Sequence, residues 1–200
     1  MWIKSIKYSA SRGLLRTLYD RVKGVDNQID NIMQVHSLRP HTLEGHMAIY
    51  KRVLHHRRNT VPKWFLESLG VYTSLLNRCD YCVDHHFAGL KRLVNDNERT
   101  QVIRKALEGG VFEGVFCKKE IEALRYAAKL SLAPADLTES DIENLRQAGW
   151  EDGEILEMNQ VIAYFAYANR TVLGLGVNTA GDVLGLSPGN HEDTEDWGHG

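Results

Sequence analysis

Two cysteines and a histidine follow one another at helical spacing near the middle of the chain, as Cys79, Cys82 and His86. On an α-helix, which turns by about 100° per residue, these side chains and Leu90 share one face within about 80° of arc. A helix that begins at Cys79 places its thiols beside unpaired backbone N–H groups, which favour the thiolate. The CxxC spacing also lets the two sulfurs form a disulfide. The pattern therefore predicts a redox-active dithiol.

A single carboxylate, Glu67, precedes this pattern inside a segment, 64–76, that is apolar or small nearly all round. A helix that is apolar on all sides is buried, and a lone buried carboxylate is unfavourable unless it has a partner or a function. Burial favours the neutral form of a carboxyl group, and this suits a general base for a thiol. The alternative interpretation is an ion pair between Glu67 and an arginine elsewhere in the chain.

The elements that position these residues are predicted to be helices, because apolar residues recur at helical spacing and strand patterns are scarce. We predict an all-α fold in which a helical hairpin, 62–77 and 79–94, carries the site. The remaining predicted helices are 10–22, 27–37, 42–58, 97–108, 118–131, 139–148 and 152–174. The polar composition of 187–200 predicts a disordered tail, which leaves 1–186 as a single domain.

Bulk composition narrows the class of protein. The 200 residues carry a formal net charge of −2, which gives no indication of a nucleic-acid partner. No apolar run approaches the roughly 18 to 20 residues of a membrane span, and the N-terminal residues lack the apolar stretch of a secretory signal. We therefore expect a cytoplasmic protein. Three cysteines are too few for a disulfide framework, so the CxxC is interpreted as redox-active or metal-binding.

The spacing of Glu67, Cys79, Cys82 and His86 resembles the Glu…Cys-x-x-Cys-x-x-x-His signature of the alkylhydroperoxidase D-like proteins. These proteins belong to the carboxymuconolactone decarboxylase superfamily. The surrounding SLLNRCDYCVDHH is similar to the helix-turn-helix core of that family, and YAAKLSLAPADLTESDIENLRQAGWEDGEILEMNQVIAYFAYANRTVLGLGV is similar to its peroxidase-related branch. The resemblance covers roughly residues 17–178 and implies an all-helical alkylhydroperoxidase D-like fold.

The resemblance also implies a role for each of the four residues. Cys82 would attack the peroxide and pass through a sulfenic acid, and Cys79 would supply a proton and then resolve that intermediate as a disulfide. Glu67 and His86 would form the proton relay that activates Cys82. An external dithiol of the lipoyl type would reduce the disulfide, so we expect no tightly bound cofactor, and related proteins assemble as homo-oligomers. One departure is Tyr81, which stands where the best-studied members carry a second relay histidine.

Other interpretations of the same residues stay open. Cys79, Cys82 and His86 have the donor types of a zinc site, although all three lie on one predicted helix. A lyase of the carboxymuconolactone decarboxylase type is a functional alternative, but that branch does not rely on a cysteine pair. A non-catalytic redox-sensing or assembly protein is a third. A thioredoxin-like interpretation is disfavoured because no βαβ pattern surrounds the CxxC.

Three features outside the four-residue pattern also lead to expectations. His85 points to a different helical face from His86 and does not replace the relay histidine. Cys117 has no cysteine or histidine neighbour, so we predict a buried structural thiol. The aromatic segment YFAYANR, residues 164–170, is predicted to pack near the helix of the cysteine pair or at a subunit contact.

Overall fold

The computed structural model of the protein describes residues 1–186 and Trp197, and this part of the chain contains helices and no β-strand. The predicted all-α fold is therefore confirmed. The predicted tail, 187–200, lies outside the described residues except for Trp197, whose buried ring is stacked against the Arg21 guanidinium at 3.5 Å. The α-helices are α1 (Gly13–Val22), α2 (Asn31–Gln34), α3 (Pro40–Leu54), α4 (Lys63–Leu76), α5 (Asp80–Val94), α6 (Asn97–Gly109), α7 (Lys118–Leu132), α8 (Glu139–Gln147) and α9 (Asp152–Leu175).

Two predicted helices differ from the observed ones. The predicted helix 27–37 is reduced to the single turn of α2, because Asp26 and Asn27 adopt left-handed φ angles of 56° and 58° that interrupt a right-handed helix. The predicted helix 42–58 begins earlier, at Pro40, and ends at Leu54. A proline in the first turn has the φ angle that a helix requires and lacks an N–H that would have no partner there. The other boundaries agree within three residues.

The central element of the fold is α4, which packs against α5, α7 and α9. Its side chains are buried without interruption from Phe65 to Ser74, as expected for a helix that is apolar all round. Each large apolar side chain buried in this way contributes about 1.5–3 kcal/mol of stability. Among the described residues, no helix has the length and apolar character needed to span a bilayer.

Helix α9 approaches α4 closely at Gly70, where a Cβ atom would overlap the ring of Phe165. The absence of a side chain at this position lets the Phe165 ring reach α5, where its centroid lies 4.5 Å from that of His86 in an edge-on contact. The close crossing of α4 and α9 therefore packs an aromatic wall against His86.

The connection between α4 and α5 is a short left-handed turn. Arg78 has a φ angle of 56°, and its N–H donates to the carbonyl of Leu75 at 3.0 Å. The N–H of Cys79 donates to the carbonyl of Ser74 at 2.9 Å, which completes a Schellman motif at the end of α4. This motif ends one helix of the hairpin and places Cys79 directly at the start of the next.

Candidate active site

The two cysteines of the CxxC lie at the beginning of α5, with Cys79 at the N-cap position and Cys82 in the first turn. Both are free thiols, and their Sγ atoms are 3.1 Å apart, within hydrogen-bonding distance for sulfur. Cys79 is fully buried and Cys82 is 3% exposed. Since an S–S bond is about 2.05 Å long, a small approach of the two sulfurs suffices for a disulfide.

The two thiols differ in their electrostatic environment. The hydrogen bond from Cys82 lowers the pKa of Cys79. The hydrogen bond with Cys79, together with burial, raises the pKa of Cys82 well above its usual value. The lowered pKa that the helix start predicts for both thiols is thus found for Cys79 alone, and Cys82 needs a base in order to ionise near neutral pH.

The amide of Asn169, on α9, is a polar partner of the thiols from outside α5. It hydrogen-bonds with both thiols and lowers the pKa of each. The amide is itself held in place, because it donates to the Ser74 hydroxyl and accepts from the Asn77 amide, both at 3.0 Å. Asn169 is fully buried, so its amide remains beside the two sulfurs as a polar group held in one position.

Cys82 faces a small, partly open cavity of about 50 Å³. That space is enough for a few water-sized molecules. Glu67 and His86 also line it, and Cys79 is not among the described residues that do. A small reactant therefore reaches the sulfur of Cys82 first, with Cys79 immediately behind it.

Glu67 and His86 form a buried pair, with Oε2 of Glu67 at 2.8 Å from Nδ1 of His86. The carboxylate is 3% exposed and the imidazole 15%. An ionised carboxylate only accepts hydrogen bonds, so a carboxylate at Glu67 pairs with a proton on Nδ1 and leaves Nε2 of a neutral ring as the acceptor. Tyr50 and Phe165 contact the imidazole edge-on and restrict its rotation. The pair has the arrangement of an oriented general base.

The structure brings together the four residues that the sequence singled out. Glu67, Cys82 and His86 share the cavity, and Cys79 is in contact with Cys82. Among the described residues, no three or more His, Cys, Asp or Glu side chains lie together in a way that could hold a metal ion.

A second group of polar residues borders the same cavity, and sequence reasoning missed most of it. The Tyr81 hydroxyl donates to Oδ2 of Asp182 at 2.7 Å, and the N–H of Asn31 donates to the same carboxylate at 3.0 Å. Nε2 of His85 lies 3.3 Å from Oδ2 of Asp182 without hydrogen-bond geometry. His85 is on another face of α5 than His86, as predicted, yet it also lines the cavity.

Asp30, the residue before α2, belongs to this second group. It is 6% exposed and lines the cavity. Burial raises the pKa of Asp30 to about 6, an effect that the nearby His85 opposes and the negative charge of Asp182 reinforces. Asp30 and Asp182 lie in irregular segments far apart in the chain, so neither periodicity nor motif spacing signals their meeting.

The aromatic segment 164–170 is divided between two environments. Tyr164 lines the cavity, and Phe165 and Asn169 contact the residues of the site as described above. Tyr167 and Arg170, in contrast, are exposed on the outer side of α9. The expected proximity to the cysteine helix thus holds for the inward-facing residues of the segment.

The prediction of a buried thiol at Cys117 is wrong. Cys117 is exposed and occupies the N-cap position of α7, where its backbone N–H donates to the carboxylate of Glu120 at 2.8 Å. A residue at this position begins the helix outside the core, which explains its exposure.

Solved structures of other proteins share the fold of this chain. A peroxidase-related protein from Ralstonia eutropha JMP134, described as an alkylhydroperoxidase AhpD core, is 20% identical, with a TM-score of 0.77 over 89% of this chain and 91% of that one. A peroxidase-related protein from Silicibacter sp. TM1040 is also 20% identical, with a TM-score of 0.72 over 87% and 90%. The chain therefore has the alkylhydroperoxidase D-like fold, and the resemblance found in the sequence is confirmed at that level.

A third solved structure has a different named activity. The debrominase Bmp8, in complex with 2,3,4-tribromopyrrole, is 15% identical, with a TM-score of 0.69 over 90% of this chain and 91% of that one. Proteins with this fold thus carry out more than one reaction. No protein-family model and no curated protein matches the chain.

Proposed function

We propose that the protein is a thiol-dependent peroxidase that reduces hydroperoxides through the Cys79–Cys82 pair, activated by Glu67 and His86. The observation that carries the proposal is the shared cavity, where the Cys82 thiol meets a buried carboxylate–imidazole pair and has a second thiol 3.1 Å behind it. This arrangement contains a nucleophile, a base and a resolving thiol in one place.

In the first step, the imidazole of His86 accepts the proton of the Cys82 thiol, directly or through one water, while Glu67 stabilises the imidazolium. The thiolate attacks one peroxide oxygen, so that the S–O bond forms as the O–O bond breaks. The remaining oxygen takes up a proton and leaves as an alcohol or as water. Cys82 is oxidised to the sulfenic acid, and the peroxide is reduced by two electrons.

In the second step, the sulfur of Cys79 attacks the sulfenic sulfur of Cys82. The S–S bond forms, the S–O bond breaks, and the hydroxyl leaves as water with the proton of Cys79. The lowered pKa of Cys79 favours this attack, because the thiolate is the nucleophile. We further propose that an external dithiol of the lipoyl type restores the pair by thiol–disulfide exchange. Because sulfur is the redox centre, the reaction needs no resident cofactor, and repeated reduction suits the cytoplasm.

The dimensions of the cavity favour hydroperoxides over a second candidate substrate class. A dithiol can also support reductive dehalogenation of an aromatic ring, and the debrominase with this fold makes that candidate specific. The cavity is lined partly by aromatic side chains such as Tyr50 and Tyr164. Its space of about 50 Å³, however, favours a small hydroperoxide over a brominated ring.

Mass spectrometry of the reduced protein after treatment with limiting hydrogen peroxide tests the proposal. We expect a peptide pair linked by Cys79 and Cys82. Cys79→Ser should stop at a sulfenic acid on Cys82, trapped by dimedone, and Cys82→Ser should not react. Cys117→Ser is the matched control, since this exposed thiol lies outside the site and its loss should change nothing. An absent disulfide, or a Cys82→Ser protein that consumes peroxide as fast as the parent, would overturn the proposal.

Repeated turnover with a reductant distinguishes an enzyme from a redox sensor. With dihydrolipoamide as the reductant, peroxide consumption should continue beyond one equivalent per protein chain. A disulfide that forms and then resists this dithiol would support a sensing role instead.

We also propose a homo-oligomeric assembly, supported by the exposed apolar side chains of Leu156 and Tyr167 on α9. Light scattering after size-exclusion chromatography measures the assembly, and a monomer at micromolar concentration would contradict it.

A further inference from the structure

The cavity at Cys82 is bordered by two sets of ionisable side chains, of which the proposed function uses one. Glu67 and His86 form the first set. Asp30 is the cavity-lining carboxyl group of the second, and it is almost entirely buried, with 6% of its surface exposed. A buried carboxyl group that lines the same small cavity as the Cys82 thiol can contact a reactant bound there.

Burial favours the protonated form of Asp30. Asp182, in the segment that follows α9, adds negative charge near Asp30, and His85, on α5, has the opposite effect. Tyr81 and Tyr50 face the same region from α5 and α3. Burial is the largest of these effects, and it raises the pKa of Asp30 to about 6 although His85 acts in the opposite direction. The carboxylate of Asp182 differs, because it accepts hydrogen bonds from the Tyr81 hydroxyl and the Asn31 N–H.

We propose that Asp30 is a catalytic residue, the general acid that protonates the departing peroxide oxygen when Cys82 attacks the other oxygen and the O–O bond breaks. The inference rests on the proposed function and adds a proton donor to it. The need for a donor is chemical, since a hydroxide or alkoxide is a strongly basic leaving group and general acid catalysis of its departure contributes about 10²- to 10⁴-fold.

The protons balance in this scheme. The proton of the Cys82 thiol moves to His86, and the proton of the Asp30 carboxyl moves to the leaving oxygen. The leaving group departs as an alcohol or water, and Asp30 is left as a carboxylate. Water in the cavity then carries the proton from His86 back to Asp30. No further oxidant or reductant takes part, because the electrons pass from sulfur to the peroxide.

A leaving-group comparison with Asp30→Asn tests the role. Hydrogen peroxide releases hydroxide and needs a proton donor, whereas peracetic acid releases acetate, and iodoacetamide releases iodide, without one. The rate of Cys82 oxidation by hydrogen peroxide should fall by about 10²-fold. The rates with peracetic acid and with iodoacetamide should stay near those of the parent. Asp26→Asn is the matched control, because Asp26 is exposed and lies outside this cavity.

Each outcome decides the proposal. Equal losses with all three reagents would show a structural role and overturn it, and an unchanged rate with hydrogen peroxide would overturn it as well. Asp30→Glu, which retains an acid, should recover part of the rate with hydrogen peroxide. If Asp30→Asn does not fold, a folded Asp30→Ser protein carries the same comparison. A parent protein that forms no Cys79–Cys82 disulfide with either oxidant would refute the proposed function instead.

Discussion

The hydroxyl of Tyr81 donates a hydrogen bond of 2.7 Å to Oδ2 of Asp182, and it accepts one of 3.1 Å from the N–H of Ile32. Burial and the charge of Asp182 raise the pKa of Tyr81 well above its usual value. Tyr81 is therefore no proton acceptor near neutral pH, although it occupies the position of a relay histidine in the resembled family. Instead, its hydrogen bond to Asp182 holds the segment after α9, residues 177–186, against α5.

That segment closes one side of the cavity. Gly185 and Leu186 line the cavity. Gly185, at a φ angle of 80°, packs so tightly on α5 that a Cβ atom would lie 2.8 Å from the methyl group of Ala88. The bond between Tyr81 and Asp182 thus holds in place a piece of chain that restricts access to Cys82.

Tyr81→Phe should loosen this closure without removing the chemistry. Loss of a buried hydrogen bond to a charged group lowers the free energy of unfolding by about 2 kcal/mol, measurable by urea denaturation. Alkylation of Cys82 by a bulky maleimide should become faster, and the peroxide-induced disulfide should still form. Tyr167→Phe, on the exposed side of α9, is the control. A folded Tyr81→Phe protein of unchanged stability that no longer forms the disulfide would place the hydroxyl in the proton relay.

Glu67→Gln should slow the ionisation of Cys82. The variant keeps the size of the side chain but removes the charge that stabilises the His86 imidazolium, so oxidation of Cys82 should fall by about 10²-fold. The pH profile of Cys82 alkylation should move to higher pH, because the raised pKa of this thiol is then no longer offset by an efficient base. Glu44→Gln changes an exposed carboxylate on α3 and serves as control. An unchanged profile would remove Glu67 from the mechanism.

Asn169→Ala should raise the pKa of Cys79, because the amide that hydrogen-bonds with the thiol is lost. The ultraviolet absorbance of the thiolate, followed against pH in the Cys117→Ser background, measures the change. Ser74→Ala removes one partner of the amide and leaves the amide itself in place, so its effect should be smaller. A thiolate titration that is identical in the parent and in Asn169→Ala would show that this contact does not tune the pair.

The sequence predicted those parts of the site that depend on local order. The CxxC, His86 and the isolated carboxylate of Glu67 all lie in one helical hairpin, whose helix boundaries periodicity predicts within one residue. The second set of groups depends on contacts between distant segments, such as the one that joins Tyr81 and Asp182 across 101 residues. An acidic residue in an irregular segment is usually exposed to solvent, so nothing in the local pattern indicates that the side chain of Asp30 or Asp182 is buried.

The unequal acidity of the two thiols cannot be predicted from local order either. A helix start favours the thiolate at both cysteines, and this is the local effect that spacing reveals. The opposite shifts of Cys79 and Cys82 arise from the bond between their sulfurs and from the depth of burial, both of which depend on the packed structure.

Asp30→Asn should change how stability depends on pH. The pKa of Asp30 is about 6 in the folded protein against an ordinary value of 3.8, so the folded state binds this proton more tightly than the unfolded chain. The parent therefore loses stability as the pH rises from about 4 to about 6, by up to about 3 kcal/mol from this group. Asparagine does not ionise, and the variant lacks this loss. The free energy of unfolding of the variant relative to the parent should then increase by up to about 3 kcal/mol between about pH 4 and pH 7.

Urea denaturation of both proteins across this range measures the difference, in which the contributions of all other titrating groups cancel. The exposed Asp26→Asn protein should follow the parent at every pH. Parallel stability curves for Asp30→Asn and the parent would mean that Asp30 is ionised in the folded protein as readily as in the unfolded chain. A carboxyl group of that kind has no proton to give at neutral pH, so the same result would also weaken its assignment as the general acid.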